Sequence, residues 1–306
     1  MYLIGEIRDP KLVAEMQSFL AREGIESEVT LREGSDFYQV FIAEKKDLEP
    51  AFKFYRAILR LPKPMEVSPE WIKIKSLPNG TVTKVLMTLC VGLFLIRLLA
   101  PNKAEFDFLL FSNDHQKLFA EILRGELWRL WTPIFIHFNF FHILFNMLWL
   151  KDLGNILEYR YSKNFFIIFM LVTGLFSNIG QYLVMGPSFG GMSGVVYAML
   201  GLIWMNNKFN PTENLILPKN DVYLMIGWFV LCMTGLLGAI ANMAHGIGLS
   251  LGILIGIAMG VKGKKQFAAS KVLLYVVVAC LFIVLSFVAD YLRVDGKIYW
   301  YVHNYL

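Results

Sequence analysis

Two hydrophobic rhythms divide the chain. Over residues 1–80 apolar and polar positions alternate or recur at helical spacing, and from residue 81 apolar residues run on with little interruption. In the first stretch MYLIGEI reads as a strand. DPKLVAEMQSFLAREG has an Asp-Pro start, apolar residues at helical spacing and a closing glycine, which predicts a helix. SEVTLREG and YQVFIAEK alternate as strands on either side of a turn at Gly34-Ser35-Asp36, and DLEPAFKFYRAILR predicts a second helix. The β-α-β-β-α order predicts a compact α+β module over residues 1–65. LPKPMEVSPEWIKIKSLPNG, rich in proline and charge, predicts a linker that runs through 66–80.

A membrane crossing takes about 20 mostly apolar residues. Seven stretches fit, near 83–100, 141–159, 164–185, 192–207, 222–239, 243–261 and 271–290. Lys151 and Asp152 interrupt the second, as an adjacent pair of opposite charges able to snorkel toward the interface. Lysine and arginine in the short loops set the expected orientation. YRYSK, NNKFNPTENLILPK and VKGKKQFAASK, after the second, fourth and sixth crossings, are basic, whereas GPSFGG and the short GAIAN loop carry no charge. The N-terminal module is therefore expected in the cytoplasm and the tail YLRVDGKIYWYVHNYL outside. The loop over 101–140 holds Lys103, Lys117, Arg124 and Arg129 on the outer side. Its amphipathic pieces, such as HQKLFAEILRGELWRLW, predict a segment lying in the membrane interface.

Composition agrees with a membrane setting. Of 306 residues 56% are hydrophobic and 17% charged, outside the ordinary globular ranges in both directions. A net charge of +5 is too mild to suggest a nucleic-acid partner. Cys90, Cys232 and Cys280 all fall in apolar runs and give neither a disulfide framework nor metal spacing. MYLIGEIRDP carries Glu6 and Asp9 and lacks a basic leader, so no cleavable signal peptide is expected.

The chemistry centres on GGMSGVVYAMLG, Gly190 to Gly201, which holds one hydroxyl, Ser193, among glycines. The fourth crossing begins there and is short for a full span, so its start is expected to be sunk below the outer surface. A serine at that helix N-terminus has free backbone N–H groups and a dipole that favour an oxyanion. Taken alone, a Gly-x-Ser-Gly tetrapeptide is more often a packing or capping feature. A serine nucleophile needs a base. His245 lies at matching depth in ANMAHGIGLSLGILIGIAMG, where Gly248, Gly252, Gly256 and Gly260 recur every four residues. With Gly194, Ala198 and Gly201 on the fourth crossing, these small residues let the two helices approach closely and put His245 on the shared face. Tyr197 lies one turn below Ser193, where it can stack under the imidazole. No acid lies between Val222 and Val261, so the couple would be a dyad. In HFNFFHILFNMLW, His142 and Asn146 are four apart and can donate to an oxyanion, or merely satisfy each other.

These residues resemble the rhomboid intramembrane serine proteases, in the bacterial form with a cytoplasmic N-terminal domain. GGMSGVVYAMLG resembles the family's GxSG motif, with Ser193 as nucleophile, Gly191 and Gly194 as supporting glycines and Tyr197 as the stacking tyrosine. AHGIGLSLG resembles AHxxGxxxG, with His245 as base followed by Gly248 and Gly252. HILFNMLW carries His142 and Asn146 over as oxyanion donors beside the Ser193 N–H. ELWRLWTPIFIH resembles the Trp-Arg motif of the first loop, giving Trp128 and Arg129 a structural role, and LEYR supplies Glu158 and Arg160. The resemblance covers roughly residues 80–262, and more weakly the N-terminal module.

It implies an all-α polytopic bundle with a rhomboid-like six-helix core over 81–262. The chain departs from the family's minimal core in two ways: 263–306 adds a seventh transmembrane helix near 271–290 and an outer tail, and the fifth loop, LLGAIANM, is short for one that caps the site in the family. The resemblance also implies an intramembrane endopeptidase in a bacterial inner membrane that cleaves transmembrane segments near the outer face. No cofactor or metal is expected. The partners implied are membrane-protein substrates and the lipid bilayer, with a homo-oligomer left open. Two other readings stay open: a non-catalytic rhomboid-like scaffold that binds membrane helices, and a small transporter with a midplane site.

Overall fold

The computed structural model describes residues 1–62, 68–114, 117–210, 217–238, 240–262 and 268–293. The expected outer tail from residue 294, together with His115 and His303, lies outside the described residues. The chain divides into two compact units, Met1–Val67 and Ser68–Leu306.

The first unit is a three-stranded antiparallel sheet with two helices. Strands β1 (Tyr2–Ile7), β2 (Ser27–Leu31) and β3 (Tyr38–Ile42) are ordered β1-β3-β2, with Tyr2 opposite Ile42 and Val29 opposite Val40. Helix α1 (Pro10–Arg22) starts where Asp9 accepts from the Lys11 N–H and Pro10 pre-sets the first turn. With α2 (Leu48–Ile58) it covers a core of Ile4, Ile7, Met16, Leu20, Val40, Ile42 and Ala51.

The second unit is helical. Its principal helices are α4 (Thr81–Leu99), α6 (Phe140–Arg160), α7 (Lys163–Met185), α8 (Ser193–Phe209), α9 (Lys219–Met233), α10 (Asn242–Val261) and α11 (Ala269–Arg293). Two short helices, α3 (Pro69–Lys75) and α5 (Ala120–Leu123), precede α4 and α6 respectively. Helix α8 is central: it packs on α10, α6 and α7, and from Gly194 to Ile203 every residue is buried. Helix α11 packs against the far side of α10, and α4 packs against α6. Outer helices turn Val85, Leu89 and Leu95 of α4 and Leu274, Val277 and Leu281 of α11 outward, as lipid-facing surfaces require.

Among the described residues, four helices are long and apolar enough to cross a membrane: α4, α7, α10 and α11. The sequence pattern predicts seven crossings. The remaining three helices fall short for physical reasons. Helix α6 carries Lys151, Asp152, Glu158 and Arg160, while α8 has 17 residues and α9 has 15.

Two further expectations change. The stretch expected as a linker contains helix α3, capped by Ser68, which accepts from the Trp71 N–H, with Pro69 in its first turn. It is tied down: Trp71 Nε1 donates to Asp221 at 2.7 Å and Lys75 Nζ reaches both oxygens of Asp152 at 2.7 Å. The salt bridge explains how Asp152 can be buried within an apolar helix. The fifth crossing also ends earlier than 239. Helix α9 stops at Met233, and Gly235 and Gly238 take positive φ of 79° and 84°, so the connection to α10 is longer than GAIAN alone.

The end of α6 is a fastening point. Glu158 accepts from the Thr83 N–H at 2.6 Å, the Thr83 hydroxyl at 2.7 Å and the Val82 N–H at 3.1 Å, which caps the start of α4 with a carboxylate. Arg160 donates to Asn207 at 2.7 Å and also to Asn206, joining α6 to α8.

Candidate active site

The loop before α8 decides where Ser193 sits. Gly191 adopts φ 121°, a conformation that side-chain-bearing residues rarely take, and its N–H donates to the Pro133 carbonyl at 2.9 Å. A Cβ at Gly191 would lie 2.5 Å from Nε2 and 2.7 Å from Cε1 of His142, so only glycine admits that imidazole. A Cβ at Gly190 would approach the Ile136 carbonyl at 2.9 Å. The loop is thereby pressed onto residues 133–137, and Ser193 opens α8 half-buried.

His245 comes from the first turn of α10, where it is 5% exposed. Close packing of α8 on α10 aligns the two. A Cβ at Gly248 would run into the Gly194 carbonyl oxygen, and one at Gly252 into that of Ala198. One at Gly201 would lie 2.6 Å from the Leu249 carbonyl oxygen. The two backbones touch because neither carries side chains along this seam. His245 Nε2 lies 2.7 Å from Ser193 Oγ. Its ring stands 4.8 Å from that of Tyr197, tilted by 45°, and 6.4 Å from that of Phe229. Tyr197 is fixed in turn by its hydroxyl, which donates to the Met225 carbonyl at 3.2 Å.

His142 stands beside Gly191, two residues before Ser193. Asn146 is buried, and its Nδ2 donates to the His142 carbonyl at 2.8 Å within α6, so this donor is engaged in its own helix. Trp128 and Arg129 lie away from the dyad and hold the first loop. Arg129, 3% exposed, donates to Glu126 at 2.7 Å and to the carbonyls of Asp107 and Leu110 at 2.9 and 2.8 Å, while Trp128 Nε1 donates to the Phe108 carbonyl. Arg129→Ala is expected to lower stability by about 3 kcal/mol, since it leaves Glu126 and two carbonyls without their cation. Thermal unfolding in detergent measures it.

Two neighbours were not read from the sequence. Gln181 of α7 accepts from the Ala244 N–H at 3.0 Å, bracing the turn that carries His245. A glutamine within a strongly apolar helix was the available signal. His137, 1% exposed, stacks at 4.9 Å from His142 and sits 3.2 Å from the Phe135 carbonyl. Burial, seconded by the nearby His142, pulls His137 down to about 3 against the raising effect of that carbonyl. Its folded value lies below the unfolded one, so its contribution to stability is present above about pH 6.5 and is lost as pH falls toward 3. Stability is expected to drop by up to about 1.4 kcal/mol per pH unit in that window, and His137→Gln is expected to flatten the slope. Denaturation series across pH check this.

Comparison with known proteins converges on the same segment. The rhomboid domain family profile matches residues 124–262, which span His142, Asn146, Ser193 and His245. Residues 124–262 are thus similar to a rhomboid domain. Relatives include the Rhomboid protease GlpG of Yersinia pestis (strain Pestoides F), 33% identical over 178 residues, which make up 58% of this chain and 62% of the relative. The Rhomboid protease GlpG of Yersinia enterocolitica serotype O:8 is 32% identical over 177 residues, with the same shares covered. The match thus spans 62% of the length of these relatives. The similarity to a rhomboid domain and the four helices long and apolar enough to cross a membrane together support a multi-pass membrane protein.

Proposed function

We propose that this protein is a rhomboid intramembrane serine endopeptidase acting on membrane-protein substrates. The observation that carries the reading is the 2.7 Å contact between His245 Nε2 and Ser193 Oγ at the start of two closely packed helices. A nucleophile and base within hydrogen-bond reach are the geometric requirement for acyl transfer.

Ser193 Oγ attacks a peptide carbonyl while His245 Nε2 takes its proton. The developing oxyanion is held by the Ser193 N–H and by His142, with Asn146 joining once its amide turns from the His142 carbonyl. The C–N bond then breaks and His245 returns the proton to the leaving amine, giving an acyl-enzyme. Water, deprotonated by His245, attacks the ester carbonyl and restores Ser193. A substrate helix must unwind locally, because an intact helix keeps its carbonyls hydrogen-bonded.

In this reading residues 1–65 form a cytoplasmic module, 66–80 connect it, 81–262 form a six-helix core, and α11 is a seventh crossing. The short α8 places Ser193 nearer the outer face of a bacterial inner membrane, with the N-terminus cytoplasmic and the C-terminus outside.

Purified protein in liposomes is expected to cleave a single-span membrane substrate, and Ser193→Ala is expected to abolish cleavage. Cleavage that survives the substitution contradicts the proposal.

A further inference from the structure

Helix α11 holds a buried acid near the end of its apolar run. Asp290 is fully buried, 0% exposed, in a helix otherwise apolar enough to cross a membrane. An ionisable group in such a place persists only when the protein satisfies it. Its Oδ1 accepts from Asn242 Nδ2 at 2.9 Å and its Oδ2 accepts from the Met243 N–H at 3.1 Å. Both donors belong to the first turn of α10. Backbone N–H groups there have no intrahelical partner, and the helix dipole favours a negative group beside them. Asp290 is therefore an N-terminal cap supplied from another helix, and His245 follows Met243 by two residues.

The rest of α11 runs antiparallel along the same face of α10. A Cβ at Gly246 would lie 2.8 Å from the Ser286 Cβ, and Ser250 Oγ donates to the Ala279 carbonyl at 2.7 Å. Positions 242, 246 and 250 thus face α11, while 245, 248 and 252 face α8. The histidine helix is held from both sides. This matters because the imidazole has little else to orient it: His245 Nδ1 has no hydrogen-bond partner among the described residues. A serine–histidine couple with a carboxylate on that nitrogen would be aligned directly. Here alignment has to come through the backbone of α10 and the flanking Tyr197 and Phe229 rings.

Resting on the reading of Ser193 and His245 as nucleophile and base, we propose that Asp290 is a positioning residue: by capping the first turn of α10 from α11, it keeps His245 Nε2 within reach of Ser193 Oγ. The seventh helix then belongs to the catalytic apparatus through its acid, which acts at one remove from the imidazole.

The test uses full-length protein in liposomes and compares kcat and KM. Asp290→Leu removes both acceptors but keeps volume and apolar character. It is expected to lower kcat by about tenfold to a hundredfold with KM within about twofold. Asp290→Asn keeps an acceptor for the Met243 N–H and is expected to restore most of the rate. Ser250→Ala breaks the other α10–α11 hydrogen bond, and is expected to lower the unfolding temperature while leaving kcat unchanged. A leucine variant with wild-type kcat overturns the proposal. So does an asparagine variant as slow as the leucine one, or a Ser250→Ala variant that loses as much rate. Should the leucine variant not yield folded protein, Asn242→Ala removes one donor and is read the same way. Ser193→Ala in the same vesicles separates the two readings. Cleavage that survives it removes the serine mechanism and this proposal together, whereas cleavage lost there but unchanged in Asp290→Leu removes the Asp290 role alone.

Discussion

Alanine in place of His245 is expected to lower kcat for cleavage of a membrane substrate by about 10⁴-fold or more, the scale seen when a serine hydrolase loses its base. That is about 5 kcal/mol of transition-state stabilisation. The loss should be this large because, among the described residues, His245 Nε2 at 2.7 Å is the base hydrogen-bonded to Ser193 Oγ, and no carboxylate lies in α8 or α10. His142 stands beside Gly191 and, in the proposed mechanism, donates to the oxyanion and does not take the proton. KM should change little, since the imidazole contributes to the transition state rather than to holding the substrate. Steady-state kinetics with a fluorogenic single-span substrate in liposomes measures both constants. A loss of less than tenfold means that His245 is not the base.

The second large effect is expected at Gly248. An added methyl there meets the Gly194 carbonyl oxygen, backbone against backbone, with no flexible side chain to yield. The helices must separate, at a cost of about 1–3 kcal/mol in stability. The separation falls one turn from His245 and next to Ser193, so the hydrogen bond between them stretches. A displacement of that kind lowers rate by about 10²-fold. Gly256→Ala is the internal comparison. Its methyl would lie 2.6 Å from the Leu202 carbonyl oxygen, a similar clash two turns farther along. Gly256→Ala is expected to lose stability comparably and to keep far more activity. Equal activity losses in the two variants would mean that the seam sets stability alone. Unfolding temperatures and kcat from the same preparations distinguish these outcomes.

Much of this architecture is legible in the residues because a membrane makes few demands and makes them strictly. Apolar runs announce helices α4, α7, α10 and α11, and the four-residue glycine spacing in α10 announces a close partner. The Asp-Pro start and the alternating strands announce the N-terminal unit. The misreadings have physical causes. Helix α3 hides in a stretch dense in proline and charge, although Ser68-Pro69 is a good helix start. The end of α9 hides in LLGAI, which stays apolar although Gly235 and Gly238 turn the backbone out of helix. Hydropathy reports solvent preference and is blind to φ. At the site, Ser193 and His245 can be paired by depth and glycine packing. The spacing of His142 and Asn146 shows a common face but not that Asn146 donates to the carbonyl of His142. Asp290, at the end of its apolar run, reads as a boundary residue; only the tertiary pairing of α11 with α10 gives it a partner.

The central claim is that Ser193 is a hydroxyl made nucleophilic by His245. The most direct measurement treats the full-length protein with a fluorophosphonate and maps the adduct by mass spectrometry, beside the His245→Ala and Ser193→Ala variants. The account predicts one adduct, on Ser193, formed far more slowly in His245→Ala and absent in Ser193→Ala. An adduct on another residue, or one on Ser193 that forms as fast without the imidazole, would contradict it.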